Sequence, residues 1–111
     1  MPTAFQLDMR YTPPNTVTSP RDCVSNINVI FDGGVIPPTH FSVARLDWEG
    51  SPCLVMRWNV GQREWDDPEK QNNQKVCLGM PVSRGFPVWF VLPEVLLNEH
   101  SEVWKQIKSK L

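Results

Sequence analysis

Cys77 and His100 are the residue types in this sequence that could together carry out covalent chemistry, because a thiolate becomes a nucleophile when a neighbouring base takes its proton. Such a site also needs a group that binds an oxyanion. Cys77 lies in a short apolar run and His100 on a predicted helix, and nothing in their spacing brings them together. We interpret them as a buried thiol and a residue on a helix flank. The sequence predicts no catalytic residues, and a cysteine-dependent enzyme is a disfavoured alternative.

The remaining candidate metal ligands are widely spaced. Besides Cys77, cysteines occur at positions 23 and 53, and the other histidine, His40, lies 60 positions before His100. A structural zinc site normally takes its four ligands from closely spaced pairs, so the sequence predicts no metal site and no cofactor. An odd number of cysteines, with no secretory signal at the start of the chain, favours free thiols in a reducing compartment. We therefore expect a cytoplasmic protein.

Four residues are predicted to bind a ligand or partner: Arg57, Trp65, Arg84 and Arg45. Trp65 lies in the most polar stretch, residues 61–75, where an indole either anchors an interface or packs back onto the body of the domain. Arg84, between Ser83 and Gly85, is placed to grip a carboxylate or phosphate with its planar guanidinium, or else to pair with a local acid. Arg45 and Arg57 share the less apolar face of a predicted hairpin and would add positive charge to such a site.

The charge balance argues against nucleic acid as a partner. Lys and Arg total 11 against 12 Asp and Glu, which gives a net charge of −1, whereas nucleic-acid binding draws on a basic surface. Arginines and tryptophans do interleave from Arg57 to Trp89, as in sites that stack single-stranded bases, so this function is kept as an alternative. Asp66, Asp67 and Glu69 lack the alternating oxygen ligands and the glycine of a calcium loop. We interpret them as part of a solvated loop.

The elements that must position these residues are mostly strands, because apolar and polar residues alternate. The predicted strands cover residues 4–11, 24–31, 41–48, 52–60, 76–80 and 86–92. The last of these is apolar on both faces, which is typical of a central strand. Pro93 begins a predicted C-terminal helix that breaks near Asn98, a residue suited to capping a second helical segment.

The clearest unit is the hairpin formed by residues 41–48 and 52–60. Its apolar faces match when Leu46 lies opposite Leu54 and Ala44 opposite Met56, which requires an odd-length loop at Glu49-Gly50-Ser51. The other face is mixed rather than polar. We expect the C-terminal helix, a loop or a second chain to cover part of it.

Together these elements predict one domain, residues 1–111, of the α+β class. The expected architecture is an antiparallel, strongly bent sheet or open barrel of five to six strands, packed by one C-terminal helix. The expected core consists of Phe5, Leu7, Ile27, Val29, Leu46, Leu54, Met56, Trp58, Val88, Phe90, Val103, Trp104 and Ile107.

Two segments resemble a known kind of protein. Arg57-Trp58-Asn59 and the run from Ser83 to Pro93 (SRGFPVWFVLP) are similar to segments of small uncharacterised bacterial proteins carried on mobile elements or gene cassettes. The resemblance covers residues 57–93, about a third of the chain. It implies a bacterial, cytoplasmic, accessory protein and no particular activity.

The leading functional prediction is a non-catalytic binding module that acts on a protein partner and self-associates as a homodimer. It follows from the five tryptophans, the mixed hairpin face and the absence of a catalytic set. The alternative is a small-ligand binder with a pocket between sheet and helix. The longest apolar run, residues 88–92, is far shorter than the roughly 18 residues of a membrane span, so no membrane association is expected.

Overall fold

The computed structural model describes residues 9–111, and six strands lie in this range. They are β1 (Val24–Asp32), β2 (Phe41–Trp48), β3 (Ser51–Trp58), β4 (Val82–Ser83), β5 (Phe86–Pro87) and β6 (Phe90–Val91). An antiparallel sheet has the strand order β1-β2-β3-β6, and β4 pairs with β5 in a separate small sheet. The α+β class and the antiparallel pairing are confirmed. The larger sheet has four strands and is not closed, so the predicted open barrel of five to six strands is matched only in part.

Two α-helices and three single 3₁₀ turns complete the described elements. The α-helices are α1 (Pro68–Gln71) and α2 (Glu102–Ser109), and the 3₁₀ turns are Pro14–Thr16, Glu64–Asp66 and Glu94–Leu97. The predicted break near Asn98 is confirmed, since the last 3₁₀ turn ends there. The cap of α2 is Ser101, whose Oγ accepts a hydrogen bond from the Trp104 N–H at 3.1 Å. None of the helices in the described range is long and apolar enough to cross a membrane.

The hairpin of β2 and β3 forms in a different register from the predicted one. Ala44 lies opposite Val55 and Leu46 opposite Cys53, because the turn has two residues rather than three. Glu49 and Gly50 both have positive φ, at 51° and 84°, as a type I′ turn requires. A shift of one residue transfers every side chain of β3 to the other face. Val55 and Arg57 therefore lie on the inner face with Ala44, and Met56 and Trp58 lie on the outer face.

The core consists of two clusters of buried side chains. The first lies on the inner face of the sheet and contains Val17, Val24, Ala44, Leu46, Val55 and Trp89. The Trp89 indole N–H donates to the Val17 carbonyl at 2.8 Å, which satisfies its polar atom inside this cluster. The second cluster lies beyond the end of the sheet and contains Met9, Val35, Val60 and Cys77. Residues 61–80 therefore pack against a core of their own, which holds this polar stretch in place.

Several side chains predicted for the core are exposed instead. Trp58 is 37% exposed and Phe90 is 56% exposed, because the hairpin register and the edge position of β6 turn them outward. Val103 and Ile107 of α2 are 47% and 39% exposed. No residue of α2 is buried, so the expectation that this helix packs the sheet is wrong. Five further predicted core residues are only half-buried: Ile27, Val29, Met56, Val88 and Trp104. Leu46 and Leu54 are buried as predicted.

Three predicted strands also differ from the structure. The central strand over 86–92 is wrong, since these residues form two short strands, and β6 lies at an edge of the sheet. Residues 76–80 form only isolated bridges, Cys77 with Tyr11 and Met80 with Trp58. The predicted strand 4–11 lies mostly outside the described residues, as do the predicted core residues Phe5 and Leu7.

Candidate binding site

Five aromatic rings form a continuous row that crosses the outer face of the sheet and ends in the loop after β3. Successive ring centroids are 5.1 Å apart for Phe31 and Phe41, 5.7 Å for Phe41 and Trp58, 4.9 Å for Trp58 and His40, and 5.5 Å for His40 and Trp65. These separations fall in the range of favourable ring contacts. We call this set the aromatic row. It brings together residues from β1, β2, β3 and the loop after β3, together with His40, which directly precedes β2.

Trp58 stands between two cavities beside the row. The first, of about 280 Å³, is lined by His40, Trp58, Val60, Gln62, Trp65 and Met80, and we call it the His40 pocket. The second, of about 360 Å³, is lined by Met56, Arg57, Trp58, Met80, Pro81 and Phe90. Both cavities lie between the sheet and residues 61–81. The small-ligand prediction places its pocket between the sheet and the C-terminal helix, and neither cavity lies there.

His40 has an unusual environment within the row. Its Nδ1 is shut off from solvent and accepts or donates no hydrogen bond, the one such buried side-chain atom among residues 9–111. Buried polar groups in native proteins nearly always have a partner, so this exception needs an explanation. Burial lowers the pKa of His40 below its ordinary value of 6.5, and the imidazole is therefore neutral at pH 7.

A single carboxylate organises the loop that supplies the far wall of the pocket. Glu64 Oε1 accepts the N–H groups of Gly61 and Gly79 at 2.7 and 2.9 Å. Its Oε2 accepts the Leu78 N–H and the Lys70 ammonium, both at 2.8 Å. Burial on its own would raise the pKa of Glu64, but the hydrogen bonds from Lys70 and the backbone outweigh it and lower the pKa. Glu64 is therefore an anion that ties both ends of residues 61–79 together.

Trp65 is both a loop anchor and a wall of the His40 pocket. Its ring packs against the second core cluster, and its backbone carbonyl accepts a hydrogen bond from the Gln71 side chain. This placement agrees with the interpretation of Trp65 as a residue that packs back onto the domain. The indole and the His40 ring also make an edge-to-face contact, and the same indole lines the His40 pocket.

Arg57 is a buried residue that forms part of the wall of the second cavity. Its guanidinium donates to the carbonyl oxygens of Leu78, Pro81 and Val88. Burial lowers the pKa of Arg57 to about 10, against the attraction of Glu64, so the side chain stays charged at pH 7. Gly79, with φ of 72°, passes so close that a Cβ there would lie 2.6 Å from Arg57 Nη2. Arg57 thus holds residues 78–88 against β3, and a binding role for it stays a prediction.

The other two predicted binding residues lie apart from the aromatic row's pocket. Arg45 makes a bidentate ion pair with Glu94, in which the two guanidinium nitrogens lie 3.0 and 2.7 Å from the carboxylate oxygens. This pair holds the C-terminal segment against β2. Arg84 lies at the exposed turn between β4 and β5, where it and Gly85 both have positive φ. A cavity of about 410 Å³ beside this turn is lined by Ser19, Pro20, Ser83, Arg84, Phe86 and Val88. Arg84 makes no ion pair with any residue in the described part of the chain.

Cys77 and His100, the candidate nucleophile and base, lie in different environments. Cys77 is fully buried, and burial raises the pKa of its thiol to about 11, so it is protonated at neutral pH. His100 is exposed in the turn before α2. The acidic residues of the loop have structural contacts, since Asp67 Oδ1 caps α1 and Glu69 pairs with Lys75. Within residues 9–111 no group of three or more His, Cys, Asp or Glu side chains could hold a metal ion.

Comparison of the chain with protein-family models, curated proteins and solved structures found no match. The resemblance of residues 57–93 to mobile-element proteins therefore stays a prediction. Sequence reasoning found Trp65 but missed His40, Phe41 and Met80. The available signal was the Glu-Gly pair at 49–50, since glycine at the second position favours a two-residue turn. That turn gives the observed register and turns Trp58 outward, beside His40.

Proposed function

We propose that this protein is a non-catalytic binding module that associates with a second copy of itself. The observation that carries the proposal is that one chain presents two partly exposed apolar surfaces. The first is the outer face of the sheet, on which Phe31, Trp58 and Phe90 are 41%, 37% and 56% exposed. The second is the apolar stripe of α2, formed by Val103, Trp104 and Ile107 and continued by Leu111 just after the helix.

The length of α2 supports a partner for this helix. Isolated helices shorter than about 12–15 residues are marginal in water, and most helices in proteins form because an apolar face is packed. α2 has eight residues, a Ser101 cap and a strongly one-sided apolar stripe, yet none of its residues is buried. Docking such a stripe into an apolar surface is a common mode of protein recognition.

A second copy of the chain would cover both apolar surfaces at once. If α2 of each protomer lies on the outer face of the other, the contact is isologous and is made twice. The charges fit this exchange. Lys108 and the C-cap residue Lys110 lie beside the stripe of α2, whereas Lys105 lies on the opposite side of the helix. Asp47 and Glu49 lie at the turn end of the β2–β3 hairpin, beside the outer face.

Native mass spectrometry and sedimentation of the full chain at roughly 10–100 μM test the proposal. The expected mass is twice 12.8 kDa. Ile107→Asp puts a charge in the middle of the stripe and is expected to give a monomer. Gln106→Asp, about 100° around the same helix, introduces the same charge outside the stripe and is expected to leave the dimer. A monomeric wild-type protein, or a dimer unaffected by Ile107→Asp, contradicts the proposal.

A different protein that docks on the outer face is the other outcome of this test, and it becomes the favoured interpretation if the wild-type chain is monomeric. A cytoplasmic location is proposed on the three free thiols at positions 23, 53 and 77. It is tested by fractionation of cells that express the tagged protein.

A further inference from the structure

We propose that the His40 pocket binds a planar, uncharged aromatic molecule that carries an O–H or N–H donor. Trp58 belongs both to this pocket and to the outer face proposed for self-association. Trp65 and Gln62 belong to the loop after β3 and not to the outer face of the sheet or to α2. The monomeric Ile107→Asp variant, which changes α2 and leaves every residue of the pocket intact, therefore distinguishes a failure of the pocket from a failure of the dimer.

The side chains that line the pocket determine which class of ligand fits it. Two indoles, from Trp58 and Trp65, and the thioether of Met80 offer flat, polarisable surfaces on which an aromatic ring gains contact energy. No lining residue carries a formal charge at pH 7, since His40 is kept neutral by burial. An anion would lose hydration there without gaining a counter-charge and would face the negative π surfaces of the two indoles. The volume of about 280 Å³ suits a ligand of one or two rings.

The polar anchor is the Nδ1 atom of His40. A buried polar atom without a partner costs about 1–3 kcal/mol, and a hydrogen-bond donor on the ligand would remove that cost. The neutral imidazole has one nitrogen that accepts a hydrogen bond. The proposal requires a rotation of the imidazole about its Cβ–Cγ bond, which would exchange Nδ1 with Cδ2 and bring the buried nitrogen to the side of the bound molecule. Gln62, at the edge of the pocket, offers a second donor and acceptor.

The pocket is held in its shape before any ligand arrives. Glu64 fixes Gly61, Leu78 and Gly79 through their N–H groups, and Gln71 fixes the Trp65 backbone. Binding to a rigid site avoids the entropy of ordering a loop. A detectable affinity for a small fragment is therefore expected.

The test uses 4-fluorophenol, titrated into the full-length protein and followed by fluorine NMR. Fluorobenzene keeps the ring without the donor, and 4-fluorocyclohexanol keeps the donor without the planar ring. 4-Fluorophenol is expected to bind about 3- to 10-fold more tightly than fluorobenzene, the contribution of one hydrogen bond, and more tightly than the cyclohexanol. Equal affinities for all three compounds, or no binding by any of them, overturn the proposal.

Variants locate the site. His40→Phe retains a ring and is expected to abolish the preference for 4-fluorophenol over fluorobenzene. Trp65→Leu is expected to weaken the binding of both by about fivefold or more, whereas Trp104→Leu, the same change on α2, leaves it unchanged. In the wild-type protein, the indole N–H signals of Trp58 and Trp65 are expected to shift on titration, which needs no variant. The monomeric Ile107→Asp variant is expected to bind 4-fluorophenol normally. An unchanged preference in folded His40→Phe, or shifts confined to other tryptophans, contradicts the assignment.

Discussion

The Lys70 ammonium and the Glu64 carboxylate lie 2.8 Å apart, and both side chains are largely buried. The pair does more than neutralise two charges. Glu64 also accepts three backbone N–H groups, and Lys70 also donates to the Val76 carbonyl at 2.9 Å. Because each polar atom has partners, the burial of this pair is compatible with a stable fold. One ion pair thus orders the most polar stretch of the chain and the wall of the His40 pocket.

Replacing Glu64 by glutamine is expected to destabilise the protein by about 2–4 kcal/mol. The amide removes a charge from beside the buried Lys70 and turns one acceptor into a donor that faces N–H groups. Urea unfolding, followed by tryptophan fluorescence, measures the change. Glu69→Gln is the matched control, since Glu69 and Lys75 form an exposed pair at 3.1 Å. Its effect should stay within about 0.5 kcal/mol. Equal effects of the two changes would show that Glu64 has no special role.

The stability contributed by Glu64 is expected to depend on pH. Its pKa in the folded protein lies below the ordinary value of 4.5, so the unfolded state binds more protons in that range and stability falls as pH falls. The contribution is complete above the ordinary pKa and is lost as pH decreases through the folded pKa. The difference in unfolding free energy between wild type and Glu64→Gln should therefore be constant near pH 7 and shrink below about pH 4.5. A difference that does not vary with pH contradicts the assignment.

The observed hairpin register predicts opposite outcomes for two valines on adjacent strands. Val55 is fully buried on the inner face, whereas Val43 is half-buried on the outer face. Val55→Thr places a hydroxyl in an apolar cluster and should cost about 1–3 kcal/mol. Val43→Thr should cost less than about 1 kcal/mol, because water reaches this face. Thermal unfolding of both variants checks the register, and similar losses for the two would favour the register predicted from the sequence, in which both valines lie on the same mixed face.

The thiol of Cys77 is expected to be the least reactive of the three. Burial raises its pKa from 9.0 to about 11, which lowers the thiolate fraction about 100-fold, and the side chain is closed to solvent. Iodoacetamide at pH 8, followed by peptide mass mapping, should label Cys23 and Cys53 first. In 8 M urea, all three should react at similar rates. Fast labelling of Cys77 in the folded protein would revive the cysteine-dependent enzyme as an interpretation.

Much of the secondary structure could be predicted locally. The strand from 24 and the strand from 41 are found where alternation placed them, and the helix breaks near Asn98 as predicted. The site could be predicted only in part. Trp65 was recognised because an indole in a polar stretch must bind or pack. No residue next to His40 marks it as important, because its role depends on which ring of β3 faces it, and that follows from the turn at Glu49 and Gly50.

The sequence by itself determined the class of fold and the approximate positions of the strands, because alternation and turn residues act over a few neighbours. The tertiary structure decided the hairpin register, the exposure of Trp58 and α2, and the assembly of the aromatic row. Each of these depends on contacts between residues far apart in the chain. A one-residue change in the length of a turn transfers the side chains of a strand to the opposite face. Glu64 is buried because the fold brings Lys70 and Gly79 within hydrogen-bond distance of its carboxylate.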